Sequence, residues 1–165
     1  MKAFALAAGA MLALAACQAD RSPESRNPPQ APREASRVRD EAGLMSPRQE
    51  AELDRRIAAL EKATGHQLGV ATVRSLGGQS IEAYSLAFAN RWALGRRGHD
   101  DGVVLLVAPT ERKVRIEVGT GLENRLTDEI CGAILREHVL PPIVSGDLAG
   151  GIAAGVDAII ARLEP

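Results

Sequence analysis

The chain has 165 residues, 20 Lys and Arg against 21 Asp and Glu, and a formal net charge of −1. That balance, without a basic stripe interleaved with aromatic residues, excludes a nucleic-acid-binding protein, and the length bounds the chain to one domain plus accessory sequence. With one Trp, one Tyr and two Phe, any core has to be built from Val, Ile, Leu and Ala.

The first elements are read as a targeting segment. Lys2 gives a positive start, and Ala3 to Ala16 form an uncharged Ala/Leu-rich run that is short for a bilayer span and suits a signal-peptide core. Leu14-Ala15-Ala16-Cys17 resembles the lipobox of bacterial lipoproteins, in which the Cys is lipidated and becomes the new N-terminus; the bland alternative is an ordinary secretory signal with a chance Cys. The reading is therefore a signal peptide over 1–16 and a palmitate-type lipidation site at Cys17, with more than one acyl chain making the anchor stable. It places the chain in the bacterial envelope, facing the periplasm, and by the same resemblance Gln18 favours the outer membrane over the inner. With Cys17 so used, Cys131 has no partner for an intrachain disulfide. Residues 17–39 carry Pro23, Pro28, Pro29 and Pro32 among Arg, Ser, Glu and Gln, a composition that cannot bury enough surface to offset chain entropy. They read as a disordered tether, reaching about 70 Å if fully polyproline-like at ~3.1 Å per residue.

The folded domain is expected over 40–165. Ser46-Pro47-Arg48-Gln49 announces a helix, with Ser as cap, Pro at the first position and Gln reaching back to the cap. Leu53, Ile57 and Leu60 follow at helical spacing, and Gly65 offers a left-handed stop. Gln67 to Val73 reads as a strand. Ser80 caps a second helix whose Ile81, Tyr84, Phe88 and Trp92 share one face, a stripe read as core rather than a cofactor site. Gly102 to Ala108 is apolar throughout, as in a central strand covered on both sides. The short turn Pro109 to Arg112 leads to Lys113–Val118, which alternates and must run antiparallel to it. Thr127 caps a third helix, which Pro141 and Pro142 are expected to end. Leu148, Ile152, Val156, Ile159 and Leu163 give a last helix an apolar face, with Gly150, Gly151 and Gly155 set for close packing. The order is α-β-α-β-β-α-α, an α/β fold read as a three-layer α/β/α sandwich around a small mixed sheet.

Several blocks then carry a family resemblance: Asp40-Glu41-Ala42-Gly43-Leu44, Ser80-Ile81-Glu82-Ala83-Tyr84, Trp92-Ala93-Leu94-Gly95, Asp100-Asp101-Gly102, Arg115 to Glu123 and Leu126-Thr127-Asp128. Together they are similar to the successive signatures of the TPM domain family, whose members include thylakoid-lumen acid-phosphatase-like, photosystem II repair and receptor-modulator types as well as bacterial envelope proteins. Thr120 stands where an aromatic residue is common in that family. The resemblance implies divalent-cation binding, notably calcium, in some members and acid phosphatase activity in others.

On their own terms the residues point to a candidate metal site. The hairpin brings the segments before Gly102 and after Val118 to one end of the sheet, so Asp100, Asp101 and Glu123 are expected to converge, with Asp128 close by. Carboxylates gathered there repel one another unless a positive charge sits among them, and hard oxygen ligands suit Ca2+ or Mg2+. Gly98, Gly102, Gly119 and Gly121 would let carbonyls complete the shell, and Glu117 ranks behind the other ligands. The bland reading makes Asp100 and Asp101 turn formers and Asp128 a helix-dipole partner.

Enzymatic signals are thin. Cys131 lies within a helix, away from any phosphate-cradling loop, and reads as an inert packed thiol; there is no Gly-x-Ser-x-Gly elbow. His99 beside Asp100 is the one histidine with a neighbour suggestive of a ligand or base, while His66 and His138 fit helix ends. Two functions follow as expectations: an envelope-anchored accessory domain that binds a divalent cation and assists or recognises an envelope protein, or a metal-dependent acid phosphatase using Asp100 or Asp101 with the cation as electrophile. The anchor is tested by cell fractionation: Cys17→Ser should release the chain from membranes and block its processing, and normal processing with retained membrane association would refute the lipidation reading.

Overall fold

The computed structural model describes residues 36–164. The signal peptide, Cys17 and most of the tether lie outside the described residues. A three-residue strand, β1 (Val38–Asp40), opens the domain and takes in Val38 and Arg39, which sequence alone assigns to the tether. The remaining elements are α1 (Pro47–Thr64), β2 (Gln67–Thr72), α2 (Ile81–Trp92), β3 (Gly102–Ala108), β4 (Lys113–Val118), α3 (Asp128–Ile134), α4 (Leu140–Val144) and α5 (Leu148–Leu163).

The helix boundaries follow the local chemistry. Ser46 and Gln49 form the reciprocal capping box of α1, and Gly65 ends that helix at φ 79°, in the left-handed conformation that glycine adopts without a Cβ clash. Ser80 and Thr127 cap α2 and α3 by accepting the amides of Ala83 and Ile130. Pro141 and Pro142 act differently from the expectation. Instead of ending a helix they lie in the first turn of α4, where the missing proline N–H costs nothing. A π turn over 135–139 carries the chain from α3 into α4 without leaving helical backbone, so the third helix of the sequence reading runs past the prolines to Val144 with one widened turn inside it.

The sheet order is β1-β2-β3-β4, with β1, β2 and β3 parallel and β4 antiparallel to β3. Its two faces bury separate apolar clusters. Val103, Leu105 and Val107 of β3 pack with Leu53, Ile57 and Leu60 of α1 and with Ile152, Val156 and Ile159 of α5. Val104, Leu106 and Ala108 face the other way, toward Ile81 and Phe88 of α2. The three-layer α/β/α sandwich with a mixed sheet is therefore present, with β1 added at one edge. Since α1 and α2 both step the chain in the same direction across parallel strands but on opposite faces, the two crossovers have opposite hands. One of them is the rare left-handed kind.

Two glycines are required by packing. A Cβ on Gly69 of β2 would sit 2.7 Å from the Trp92 ring, which Arg39 covers with its guanidinium 4.6 Å from the ring centroid. A Cβ on Gly151 of α5 would lie 2.6 Å from the Val139 carbonyl oxygen in the π turn. Alanine at 151 gains about 1 kcal/mol of helix propensity but has to displace backbone, an overpacking cost of roughly 1–3 kcal/mol. Gly151→Ala is therefore expected to lower the urea midpoint without changing the slope of the transition; a raised midpoint would contradict the close approach of α5 to the π turn.

Candidate functional site

The β3–β4 hairpin does what its short turn demands: the chain before β3 and the chain after β4 meet at one end of the sheet. The Gly119 amide donates to the Gly102 carbonyl at 2.7 Å, and the Gly121 amide to the Asp100 carbonyl at 3.1 Å. Cβ atoms at Gly119 and Gly121 would fall 2.0 Å from the Asp100 oxygen and 1.9 Å from the His99 oxygen. These glycines therefore serve the close approach of two backbones, and the Gly102 and Asp100 carbonyls between them are already acceptors within the fold.

The four predicted acidic residues are not gathered in one place. Asp101 is 3 % exposed and turned inward. Its carboxylate accepts the Arg96 amide at 2.7 Å and Arg96 Nε at 2.7 Å, and Arg96 Nη2 lies at 2.6 Å. His66 Nδ1 stands 3.5 Å away. Burial pushes the Asp101 carboxyl up, but the hydrogen bonds and charge of Arg96 outweigh it and hold the group below the ordinary carboxylate range. Gln67 completes the brace, its amide donating to the Asp101 carbonyl and its side-chain oxygen accepting from the Gly95 amide. Asp100, at φ 47°, is exposed and lines a cleft of about 260 Å³ between α2 and the segment from Glu117 to Thr120. Glu123 and Asp128 line a different cleft, of about 370 Å³, along β4 with Arg115, Glu117 and Thr127. Among the described residues no three His, Cys, Asp or Glu side chains lie close enough together to hold a metal ion.

Glu117, ranked second by sequence, borders both clefts. One of its oxygens accepts the hydroxyl of the buried Ser85 at 2.6 Å and Arg115 Nε at 2.8 Å. Sequence reasoning missed Arg96 as the partner of Asp101. The signal available was the Arg96-Arg97 pair four and five residues upstream, set in a turn punctuated by Gly95 and Gly98. Nothing in the sequence pointed to Ser85.

The other reactive candidates are placed plainly. Cys131 is buried, and that burial, with Asp128 nearby, pushes its thiol up to about 11, which keeps it unionised at neutral pH. His99 is exposed on the loop before β3, and His138 is exposed on the π turn. No helix among the described residues is long and apolar enough to cross a membrane.

The fold and this sheet end define a class: a small α/β/α domain with a hairpin-closed, glycine-lined loop end and an acidic strand edge. The TPM domain profile matches residues 38–162. The chain belongs to the TPM domain family. Among solved structures, it is similar to the N-terminal domain of a protein from P. gingivalis at 33 % identity, covering 78 % of this chain and 82 % of that one, with a TM-score of 0.72. The N-terminal domain of the cg2496 protein from Corynebacterium glutamicum shares the fold at 19 % identity, with 80 % and 83 % covered and a TM-score of 0.62. So does the BA42 protein from Bizionia argentinensis, at 15 % identity, 72 % and 81 % covered, and a TM-score of 0.62. No curated protein matches the chain.

The Asp101 brace generates a stability prediction with a defined sign. Asp101→Asn removes a charge-assisted pair whose loss costs roughly 1–3 kcal/mol, moderated because Arg96 is partly solvent-exposed. Because the folded-state pKa is depressed, the contribution is complete above the unfolded value of about 4 and disappears as pH falls through the lower folded value. Denaturant titrations should show wild type and variant separated at pH 7 and converging at strongly acid pH. A constant gap across that range would refute the assignment.

Proposed function

We propose that this chain is an envelope-anchored accessory domain that binds a divalent cation and assists or recognises membrane or envelope proteins. The observation that carries the cation reading is the cleft beside β4, where Glu117, Glu123 and Asp128 present hard oxygen donors together with the Thr127 hydroxyl. This donor set suits Ca2+ or Mg2+, and because no three of its carboxylates lie close enough to enclose an ion, one bound here would keep part of its water shell. Glu123 and Asp128, both exposed, are the residues that would hold it; Glu117 is partly neutralised by Arg115. A bound cation would supply charge neutralisation at this edge, relieving the repulsion among the carboxylates. Asp100 is available from the neighbouring cleft, whereas Asp101 is committed to Arg96 and drops out of the ligand set.

The same commitment removes Asp101 from the acid phosphatase reading, since a carboxylate held by a guanidinium and a backbone amide is poorly placed to act on a substrate, and leaves that reading to the exposed Asp100 alone. The lipid anchor at Cys17 and the Pro-rich spacer support work at a membrane, with the domain carried at a distance from the bilayer.

Calorimetric titration with calcium and then magnesium tests the reading. Saturable binding by wild type should weaken at least about tenfold in Glu123→Gln/Asp128→Asn, each lost charge-assisted contact being worth about 1.5–3 kcal/mol. It should be nearly unchanged in Asp101→Asn. Absence of binding by folded wild type, or loss of binding in Asp101→Asn alone, would refute this site. Turnover of a simple aryl phosphate with either metal present would overturn the noncatalytic reading.

A further inference from the structure

The outer edge of β4 is open. Among the described residues β4 pairs with β3 alone, at the end of the sheet order. The pairing parity fixes which of its backbone groups are free. Gly119 donates to Gly102, and the register pairs Glu117 with Val104 and Arg115 with Leu106. In an antiparallel ladder alternate residues turn both N–H and C=O toward the partner, so the odd-numbered residues are spent on β3. Val114, Ile116 and Val118 point their backbone groups outward. The β3 side agrees, since the Val107 carbonyl is taken by the Val73 amide on the β2 side.

The side chains around this edge are unusual for this surface. The three large apolar residues exposed among the described residues are Leu86 at 53 %, Leu140 at 38 % and Val144 at 84 %. Each lines a cleft that also contains β4 residues: Leu86 with Glu117 and Val118 on the α2 side, Leu140 and Val144 with Lys113 and Val114 on the other. Open edges are ordinarily protected by charge, and β4 does carry Lys113, Arg115 and Glu117 on its α2 side. Their signs run positive, positive, negative along the strand, however, so they rank the possible pairings rather than forbidding all of them.

We propose that the β4 edge is the docking surface for a second copy of this chain, joined antiparallel about a two-fold axis at Ile116. Outward backbone parity allows Val114, Ile116 and Val118 to pair only among themselves. With Ile116 opposite its own copy, Val114 lies opposite Val118, and Arg115 lies opposite Glu117 twice over. These Arg–Glu positions are the non-hydrogen-bonded pairs, where cross-strand side chains come closest. Moving the register by one pair sets Glu117 against Glu117 in one direction and Arg115 against Arg115 in the other; the second also pairs Lys113 with Glu117, but each carries a like-charge pair that the Ile116-centred register avoids. On the core side, Val114, Ile116 and Val118 form β-branched pairs that extend the apolar layer from one copy to the next. The basic start of one β4 also approaches the Glu123–Asp128 end of the other. The two-fold makes the contact isologous and closed, so it yields a dimer with one continuous sheet rather than a filament. This inference does not depend on cation binding.

Sedimentation equilibrium of the full chain is the test. Wild type should show a reversible monomer–dimer equilibrium. Arg115→Glu and Glu117→Arg should each weaken it at least about tenfold, because two attractive pairs become repulsive, and the double exchange should restore it to within about threefold. Since Glu117 also holds Ser85, a measurement on the unaltered chain stands beside the variants: amide exchange at Val114, Ile116 and Val118 should slow as concentration rises into the dimer range. Wild type that stays monomeric up to about 1 mM, the weak end of specific association, overturns the proposal. So does a dimer in which those three amides exchange at unchanged rates, or a folded double variant no better associated than the single ones.

Discussion

Strand β3 has both of its faces buried: every residue from Gly102 to Ala108 is shielded from solvent, with alternate side chains committed to separate apolar clusters. That single constraint dictates the layers. A strand buried on both sides requires helices on both faces, and four strands are too few to spread the load. α1, α5 and the α3–α4 pair therefore crowd one face while α2 alone spans the other. The crowding explains why Gly151 and Gly155 of α5 sit where a Cβ would strike the π turn, and why Gly69 of β2 leaves room for the Trp92 ring. Polar chemistry is displaced from the faces to the ends and edges of the sheet.

At the ends, the inward-turned carboxylates are already employed. Asp40, the last residue of β1, accepts the amides of Leu44 at 3.0 Å and Met45 at 2.7 Å and the hydroxyl of Thr72. Burial pushes its carboxyl up, but the Thr72 hydroxyl and these amides prevail and hold it below the ordinary range. Asp101 does the corresponding work before β3 with Arg96. Each converts a loop that would otherwise fray into a fixed connection, and each keeps its charge through hydrogen bonds, Asp101 while buried and Asp40 while partly so. What remains uncommitted is the β4 margin, where Glu123 and Asp128 reach solvent and one backbone edge has no strand beside it.

Much of this was legible in the sequence because it is governed by local chemistry or by strong periodicity. The caps at Ser46, Ser80 and Thr127, the glycine stop at 65, the buried run of β3 and the alternation of β4 all act over a few residues. The core faces of α1, α2 and α5 follow from spacing alone. The missing parts depend on tertiary partners. β1 has three residues, only Val38 of them apolar, and it exists because the β2 edge accepts it and because Arg37 is tied to Asp54 and Glu61 of α1. The π turn between α3 and α4 was hidden because prolines such as Pro141 and Pro142 serve equally well to end a helix or to stand in a first turn. The candidate site was half legible. Hairpin geometry located the sheet end, but it could not reveal that Asp101 turns inward to Arg96 while Glu117, apparently a surface charge, is anchored by the buried Ser85.

That last pair shows why an acidic cluster read from sequence has to be divided before it is given a role. Coulomb repulsion among carboxylates can be relieved by a bound cation, by an internal guanidinium or by a cation from another chain, and sequence proximity does not distinguish these. Here Asp101 takes the internal route, and Glu117 does so in part through Arg115, which lies two residues away on the same side of the same strand. The Arg115–Glu117 contact within one strand leaves both groups at the edge, 34 % and 15 % exposed, so their mutual neutralisation is incomplete. Glu123 and Asp128 lack even that. Exposed carboxylates, free backbone groups and exposed apolar side chains thus meet along one strand margin, and that coincidence is why the proposed binding chemistry is assigned there.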